Sequence, residues 1–265
     1  MVQTSTTVSL PHALGFRTGT TSVHTSRTMM LKELSLVLAN TSPDASASAY
    51  YVAIVEHNSL GKQTRTTRQR TAKRLAELYA LNPSCTIFRL LQHFWPTDPA
   101  SQPMLAFLAA TTRDPLLRDT MPFILSIPMG RTVLPPLIVA YLHERFPSRF
   151  QASTTLATAQ RLASTWGQAG YLCGKVKKQR VKPHVTPMVT AFALVLGYLC
   201  GLRNQRLLDC PWISFLDRSL SEVMDLTTEA SKQGWLTYKA AGAMVEITFP
   251  GLLTSDEERA AYEPH

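Results

Sequence analysis

Over most of the chain the apolar residues recur every three or four positions, the period of amphipathic helices. Thr28–Ala39 carries Met29, Met30, Leu34, Leu36, Val37 and Leu38 before Ser42-Pro43-Asp44 breaks the pattern. Ala45–His57 follows with Tyr51, Val52, Ile54 and Val55, and a turn at Asn58–Gly61 leads into a third helix. Thr66 or Thr67 is expected to cap that helix, since a hydroxyl there accepts from the free amides of the first turn. Its inner face is predicted as Ala72, Leu75, Ala76 and Tyr79. Further helices are expected around Ile87–Phe94, Met104–Thr111, Leu116–Leu125 and Leu137–Phe146. The prolines between them set boundaries, because the ring removes a donor and crowds the preceding turn.

Two stretches share one pattern. Ser153–Ala169 reads as a helix with Leu156, Ala159, Leu162, Ala163 and Trp166 on one side, ending at Gly170. Tyr171-Leu172 then extends, GKVK turns and KQRVK returns. Ser221–Gln233 reads as a helix with Val223, Leu226 and Ala230 inward, ending at Gly234; Trp235–Tyr238 and Met244–Phe249 follow as paired strands. A glycine after each helix suits a left-handed C-cap. The predicted fold class is mainly α, multi-helical, with a helix-turn-helix element and two winged-helix-like units that carry short β-hairpins. The link from Asn58 to Thr67 is long for a helix-turn-helix.

Met188–Leu202 is uncharged for fifteen residues. A helix of that length spans roughly 22 Å, short of the ~30 Å hydrocarbon layer. Thr186 and Pro187 resemble the N-cap and first position of an ordinary helix, so a buried core helix is expected rather than a membrane span. The Thr- and Ser-rich start of the chain is expected to be a flexible leader over 1–25. An N-terminal helical domain over 26–125 and a C-terminal helical domain over 126–265 would follow.

Charge alters this picture more by its distribution than by its total. The 265 residues carry a net +9, yet positions 1–203 hold 22 Lys and Arg against 8 Asp and Glu, while 204–265 hold 5 against 10. Lys62, Arg65, Arg68, Arg70, Lys73 and Arg74 cluster without an intervening carboxylate, around Thr66 at the start of the third helix. The first predicted wing adds Lys175, Lys177, Lys178, Arg180 and Lys182. Two cationic elements of this kind suit a duplex, where binding rests on neutralising phosphates and releasing counterions. These twelve residues form the candidate DNA-binding set. Arg68 and Arg70 are the candidates for base edges, and the wing lysines for phosphate. Glu222, Asp225 and Glu229 on the second helix would repel a duplex, so that unit is expected to be structural or to face a protein.

No signature of catalysis accompanies the charge. P-loop, G-x-G-x-x-G, G-x-S-x-G and H-E-x-x-H patterns are missing from the sequence, and His143-Glu144 beside Arg145 reads as a helix end. Trp95, Trp166, Trp212 and Trp235 lie on apolar faces, and Tyr171 alone approaches the basic residues as a base-stacking aromatic. Cys85, Cys173, Cys200 and Cys210 show no metal or disulfide spacing. The expectation is a non-enzymatic cytoplasmic protein with free thiols, no metal and no cofactor.

Asn58-Ser59-Leu60 followed by Lys62, Thr66, Arg70 and Arg74 resembles the N-x-L, basic, S/T-x-x-x-R region of BrxA-type proteins, components of bacterial BREX phage-exclusion systems. The likeness extends through the helix and basic wing of Ser153–Pro183. It continues from the apolar helix near Phe192 through Leu207-Leu208, Trp212, Phe215 and Leu216 to Gly234-Trp235-Leu236 and Val245–Phe249. The resemblance implies a mostly helical accessory protein that binds double-stranded DNA and works with other BREX proteins, with no catalytic residues. The Thr/Ser-rich start and the proline-rich middle depart from that pattern. Competing readings are a winged-helix transcriptional regulator and a protein–protein scaffold of the defence complex.

Overall fold

The computed structural model describes residues 10–147, 149–242 and 244–262. Two 3-10 turns, His12–Leu14 and Val23–Thr25, precede α1 (Leu31–Asn40), α2 (Ala47–Val55) and α3 (Arg65–Tyr79). Then come α4 (Thr86–Phe94), α5 (Gln102–Arg113), α6 (Pro115–Asp119), α7 (Met121–Ser126), strand β1 (Thr132–Val133), α8 (Pro135–Arg145) and α9 (Ala152–Ala169). Strands β2 (Leu172–Cys173) and β3 (Lys178–Arg180) lead to α10 (Pro187–Leu199), α11 (Gln205–Leu208), α12 (Pro211–Ser214) and α13 (Leu220–Lys232). The hairpin β4 (Thr237–Ala241) and β5 (Met244–Thr248) and the short α14 (Ser255–Ala260) follow. The described chain is mainly helical, with two small antiparallel sheets.

Proline opens helices here. Pro103, Pro115, Pro122, Pro135, Pro187 and Pro211 all stand in a first turn, where the missing N–H had no helical partner to lose. The one long helix expected over Leu116–Leu125 is therefore two, α6 and α7, because Pro122 starts a second helix behind Thr120.

Helix α10 is buried from Met188 to Leu199 and packs against α4, α5, α11, α12, α13 and α14. Each buried Leu, Val or Phe of such a helix contributes about 1.5–3 kcal/mol. Thr186 caps it, accepting from the Val189 amide at 3.3 Å. Among the described residues no helix is long and apolar enough to cross a membrane. Apolar side chains from Leu14 to Ala261 belong to one connected core that crosses the expected 125/126 boundary.

Residues 10–25 are packed, not a flexible leader; residues 1–9 of that expected leader lie outside the described residues. Phe16 meets Trp212 edge-on at 5.4 Å. Asp114, buried at the N-cap of α6, accepts from the Ser22 hydroxyl at 2.8 Å, the Val23 amide at 2.8 Å and the Leu117 amide at 3.0 Å. The His24 ring bridges Asp114 through Nδ1 and Thr165 through Nε2, both at 2.9 Å. Burial works to raise the Asp114 pKa, but the His24 charge and hydrogen bonds from His24, Leu117 and Ser22 hold it down to about 2. Four arginines, three from α5, α6 and α9 and one from the loop between α8 and α9, also donate to this segment's carbonyls: Arg113 to Gly15, Arg118 to Arg17, Arg161 to Thr25 and Arg149 to Thr20.

Sheet β1-β3-β2 pairs Leu172 with Arg180 and Cys173 with Gln179 on one side of β3. On the other side Thr132 pairs with Gln179 and Val133 with Lys178. The second hairpin pairs Thr237 with Thr248 through to Ala241 with Met244, so β4 begins two residues later than Trp235, while β5 begins at Met244 as expected and stops at Thr248.

Candidate nucleic-acid interface

Thr64, ahead of the expected Thr66 or Thr67, caps α3 by accepting from the Thr67 amide at 3.1 Å. The preceding turn is fixed when the Asn58 carboxamide oxygen accepts from the Lys62 amide at 2.8 Å. Thr71, Ala72, Leu75, Leu78 and Tyr79 form the buried face; Ala76 is only half-buried and Leu78 replaces it. Thr66, Gln69, Arg70 and Lys73 face solvent. The outward ridge is therefore Thr66, Arg70 and Lys73, spaced for one side of a helix.

Most cations of this segment are already engaged. Lys62 pairs with Glu33 at 2.9 Å, Arg65 is bidentate to Glu56 at 2.6 and 2.7 Å, and Arg74 pairs with Glu77 at 2.6 Å. The Arg65 hydrogen bond holds the Glu56 pKa below its ordinary value. Each such carboxylate cancels charge that a phosphate would otherwise meet. Arg68, expected at a base edge, instead donates to the Val55 carbonyl at 2.8 Å and closes the C-terminal end of α2. Arg70 and Lys73 are the exposed cations of α3 left without a hydrogen-bonded or ionic partner among the described residues.

The first hairpin divides in the same way. Its turn needs Gly174, whose φ is +96° and whose Cβ would lie 2.6 Å from the Lys177 carbonyl oxygen. Lys175 and Lys177 stand exposed on that turn with Val176, 87% exposed, between them. Lys178 is half-buried and folds back towards the Gly174 carbonyl at 3.4 Å. Lys182 is exposed but stands 3.8 Å from Glu222.

Arg180 is fully buried and cannot reach a phosphate. Its guanidinium donates to Asp217 at 2.6 Å and to the Ile124 carbonyl at 3.0 Å, and lies over the Tyr171 ring. Tyr171 is also fully buried, its hydroxyl donating to the Phe215 carbonyl, so it offers no face for a base. Trp166 and Trp212 lie in the core and Trp95 nearly so, while Trp235 is half-buried against Phe94.

Helix α1 links the two cationic elements. Glu33 takes Lys62 on one side, and the Leu31 amide donates to the Gln168 carboxamide of α9 at 3.4 Å on the other. Next to Gln168, Lys178 lies against Gly167, where an added Cβ would be 3.3 Å from its Nζ. Lys32, between these contacts on α1, is exposed, as is Arg131 at the start of β1 beside the wing. Sequence reasoning missed both. Lys32 is an isolated charge in an apolar stretch, and Arg131 reaches the wing only through the non-local pairing of β1 with β3. Helix α9 adds an exposed neutral row, Ser153, Leu156 and Gln160.

Helix α13, ahead of the C-terminal hairpin, carries opposite charge. A capping box joins Ser219 and Glu222 at the start of α13, and Glu222 and Asp225 are exposed beyond it. Val223, Thr227 and Ala230 are buried, whereas Leu226 is half-buried. No family model matches the chain, and no curated protein matches it either.

Proposed function

We propose that this chain is a non-enzymatic binder of double-stranded DNA that grips the duplex through α3 and the β2–β3 turn. The observation that carries the reading is that Arg70, Lys73, Lys175 and Lys177 remain exposed without carboxylate partners among the described residues while most neighbouring cations are engaged. Unneutralised cations on a structured frame are what phosphate contact requires. Of the two residues expected at base edges, Arg68 is engaged and Arg70 alone is exposed, and in this reading Arg70 meets a phosphate and positions the duplex without reading its sequence. Helix α7, β1, α8, α9, β2, a basic turn and β3 follow one another with sheet order β1-β3-β2, which supports reading this part as a winged-helix unit. By its resemblance to BrxA-type proteins, the role is that of a cytoplasmic accessory in phage exclusion.

A second role, docking to another protein of the same system, is favoured by the exposed acidic residues of α13 and by Met244, 79% exposed at the start of β5. Fluorescence anisotropy of a labelled duplex tests the main reading. Affinity should fall steeply with salt and show little sequence preference. A strong preference for one palindromic operator would favour a transcriptional regulator, and absence of binding at moderate salt would leave the scaffold role.

A further inference from the structure

Arg17, Arg74 and Arg113 converge on a single residue. Arg113 Nε and an Arg17 terminal nitrogen both donate to the Glu77 main-chain carbonyl, at 3.1 and 3.4 Å, while Arg74 holds the Glu77 carboxylate. Beside them is a recess of about 120 Å³, walled by these four residues and by Thr21 and Ser22. That is well above the ~10–15 Å³ that a single water needs and leaves room for one tetrahedral oxyanion.

Charge in this recess is out of balance. Three guanidiniums face one carboxylate. The nearby Asp114 carboxylate is sealed behind Ser22 and Val23 and is committed to His24. Burial depresses the Arg113 pKa, the Arg17 charge adds to the depression, and Cys85 opposes it. Capping of the α3 carbonyls accounts for Arg113, which also donates to the Ala76 carbonyl at 3.4 Å. Arg17 joins that cap only through the one contact at 3.4 Å, and Arg74 only pairs with the Glu77 carboxylate, so among the described residues each guanidinium makes a single hydrogen bond and keeps further N–H groups without a partner. Thr21 supplies a hydroxyl that makes no hydrogen bond within the described residues. Forked donors around a partly enclosed volume match the oxygens of a phosphate.

We infer that the recess between α3, α5 and the N-terminal segment binds a phosphate group in its dianionic form, with Arg17 and Arg74 as its donors and Arg113, held by the Gly15, Ala76 and Glu77 carbonyls, as a fixed positive charge beside them. The ligand is either a small phosphate-bearing molecule or the 5′-terminal phosphate of a nucleic acid. A phosphodiester inside an intact duplex carries one charge and is flanked by sugars on both sides, so a terminal group fits better.

Calorimetric titration of the full chain with inorganic phosphate, in a phosphate-free buffer, tests the site. Saturable binding with one phosphate per chain is expected. Arg17→Gln and Arg74→Gln should each weaken it about tenfold, the loss of one charge-assisted hydrogen bond. Neither change touches the buried face of α3. Glu77→Gln should tighten binding, because it removes the competing carboxylate and keeps the carbonyl, an effect that a purely structural role would not produce. A second arm compares 5′-phosphorylated with dephosphorylated duplex: preference for the phosphorylated end identifies a nucleic-acid ligand, and equal affinity with retained phosphate binding identifies a small molecule. No saturable phosphate binding, or binding unchanged in both arginine variants, overturns the inference. Either result can arise whether or not α3 and the wing bind a duplex.

Discussion

The Arg180 guanidinium lies 2.6 Å from the Asp217 carboxylate with no part of its side chain exposed to solvent. This pair joins the last strand of the basic hairpin to the loop that precedes the acidic α13. A residue with the pattern of a phosphate ligand is thus the anchor between two structural units. Removing one member of such a pair strands a buried charge, which costs about 3–5 kcal/mol. Arg180→Met should lower the thermal midpoint markedly, by calorimetry. At temperatures where it remains folded, the salt dependence of its duplex binding should match that of the wild type.

Asp114 ties the N-terminal segment to α6 and makes stability depend on acid. Its folded pKa, held at about 2, lies below the ordinary carboxylate value. The depressed value means that its stabilisation is fully present above pH ~4 and is lost as pH falls through about 2, at roughly 2 kcal/mol in total. Asp114→Asn should remove most of that dependence. It should also lower stability at pH 7, measured by urea unfolding across pH, because the Ser22, Val23 and His24 donors lose a charged acceptor.

Thiol reactivity offers a direct check of the packing. Cys173, on β2 beside the basic turn, is exposed, whereas Cys200 and Cys210 are buried. Burial pushes both buried thiols up, Cys210 to about 12. Since the thiolate is the nucleophile, mass spectrometry after brief alkylation of native protein should find Cys173 modified well ahead of Cys200 and Cys210. Denaturant should abolish the difference.

Within α3, ionic partners separate the cations. Arg70→Ala and Lys73→Ala should each flatten the slope of log K against log[salt] by about 0.9, the value for one phosphate contact. Arg68→Ala should leave the slope unchanged and weaken the α2–α3 junction, where its guanidinium meets the Val55 carbonyl. Comparing slopes with midpoints of thermal unfolding distinguishes the two effects.

The helices were legible because burial follows the apolar period: α4 begins one residue from Ile87 and ends at Phe94 as expected, and the Thr186-Pro187 start of α10 is as the sequence suggests. Both glycine-ended helix-and-hairpin units were legible for the same reason. The cationic surface was less so, because a sequence shows charge without its partner. Arg113, Arg118, Arg149 and Arg161 belong to the positive count of the first 203 residues, yet they hold the carbonyls of Gly15, Arg17, Thr20 and Thr25. Glu33 and Lys62 are 29 residues apart, and β1 is two residues long with its partner far along the chain. No local pattern announces such pairings. The packed residues 10–25 were missed because Phe16, Val23 and His24 are too sparse to register as a periodic stretch.

The most direct measurement is duplex affinity across a salt series for the wild type and for the chain with Arg70, Lys73, Lys175 and Lys177 all changed to Ala. If these four exposed cations form the grip, the wild-type slope should be at least about 3.6 in magnitude, and the variant should lose about that much while keeping its unfolding midpoint. A variant that stays folded and retains the wild-type affinity and slope would contradict the account.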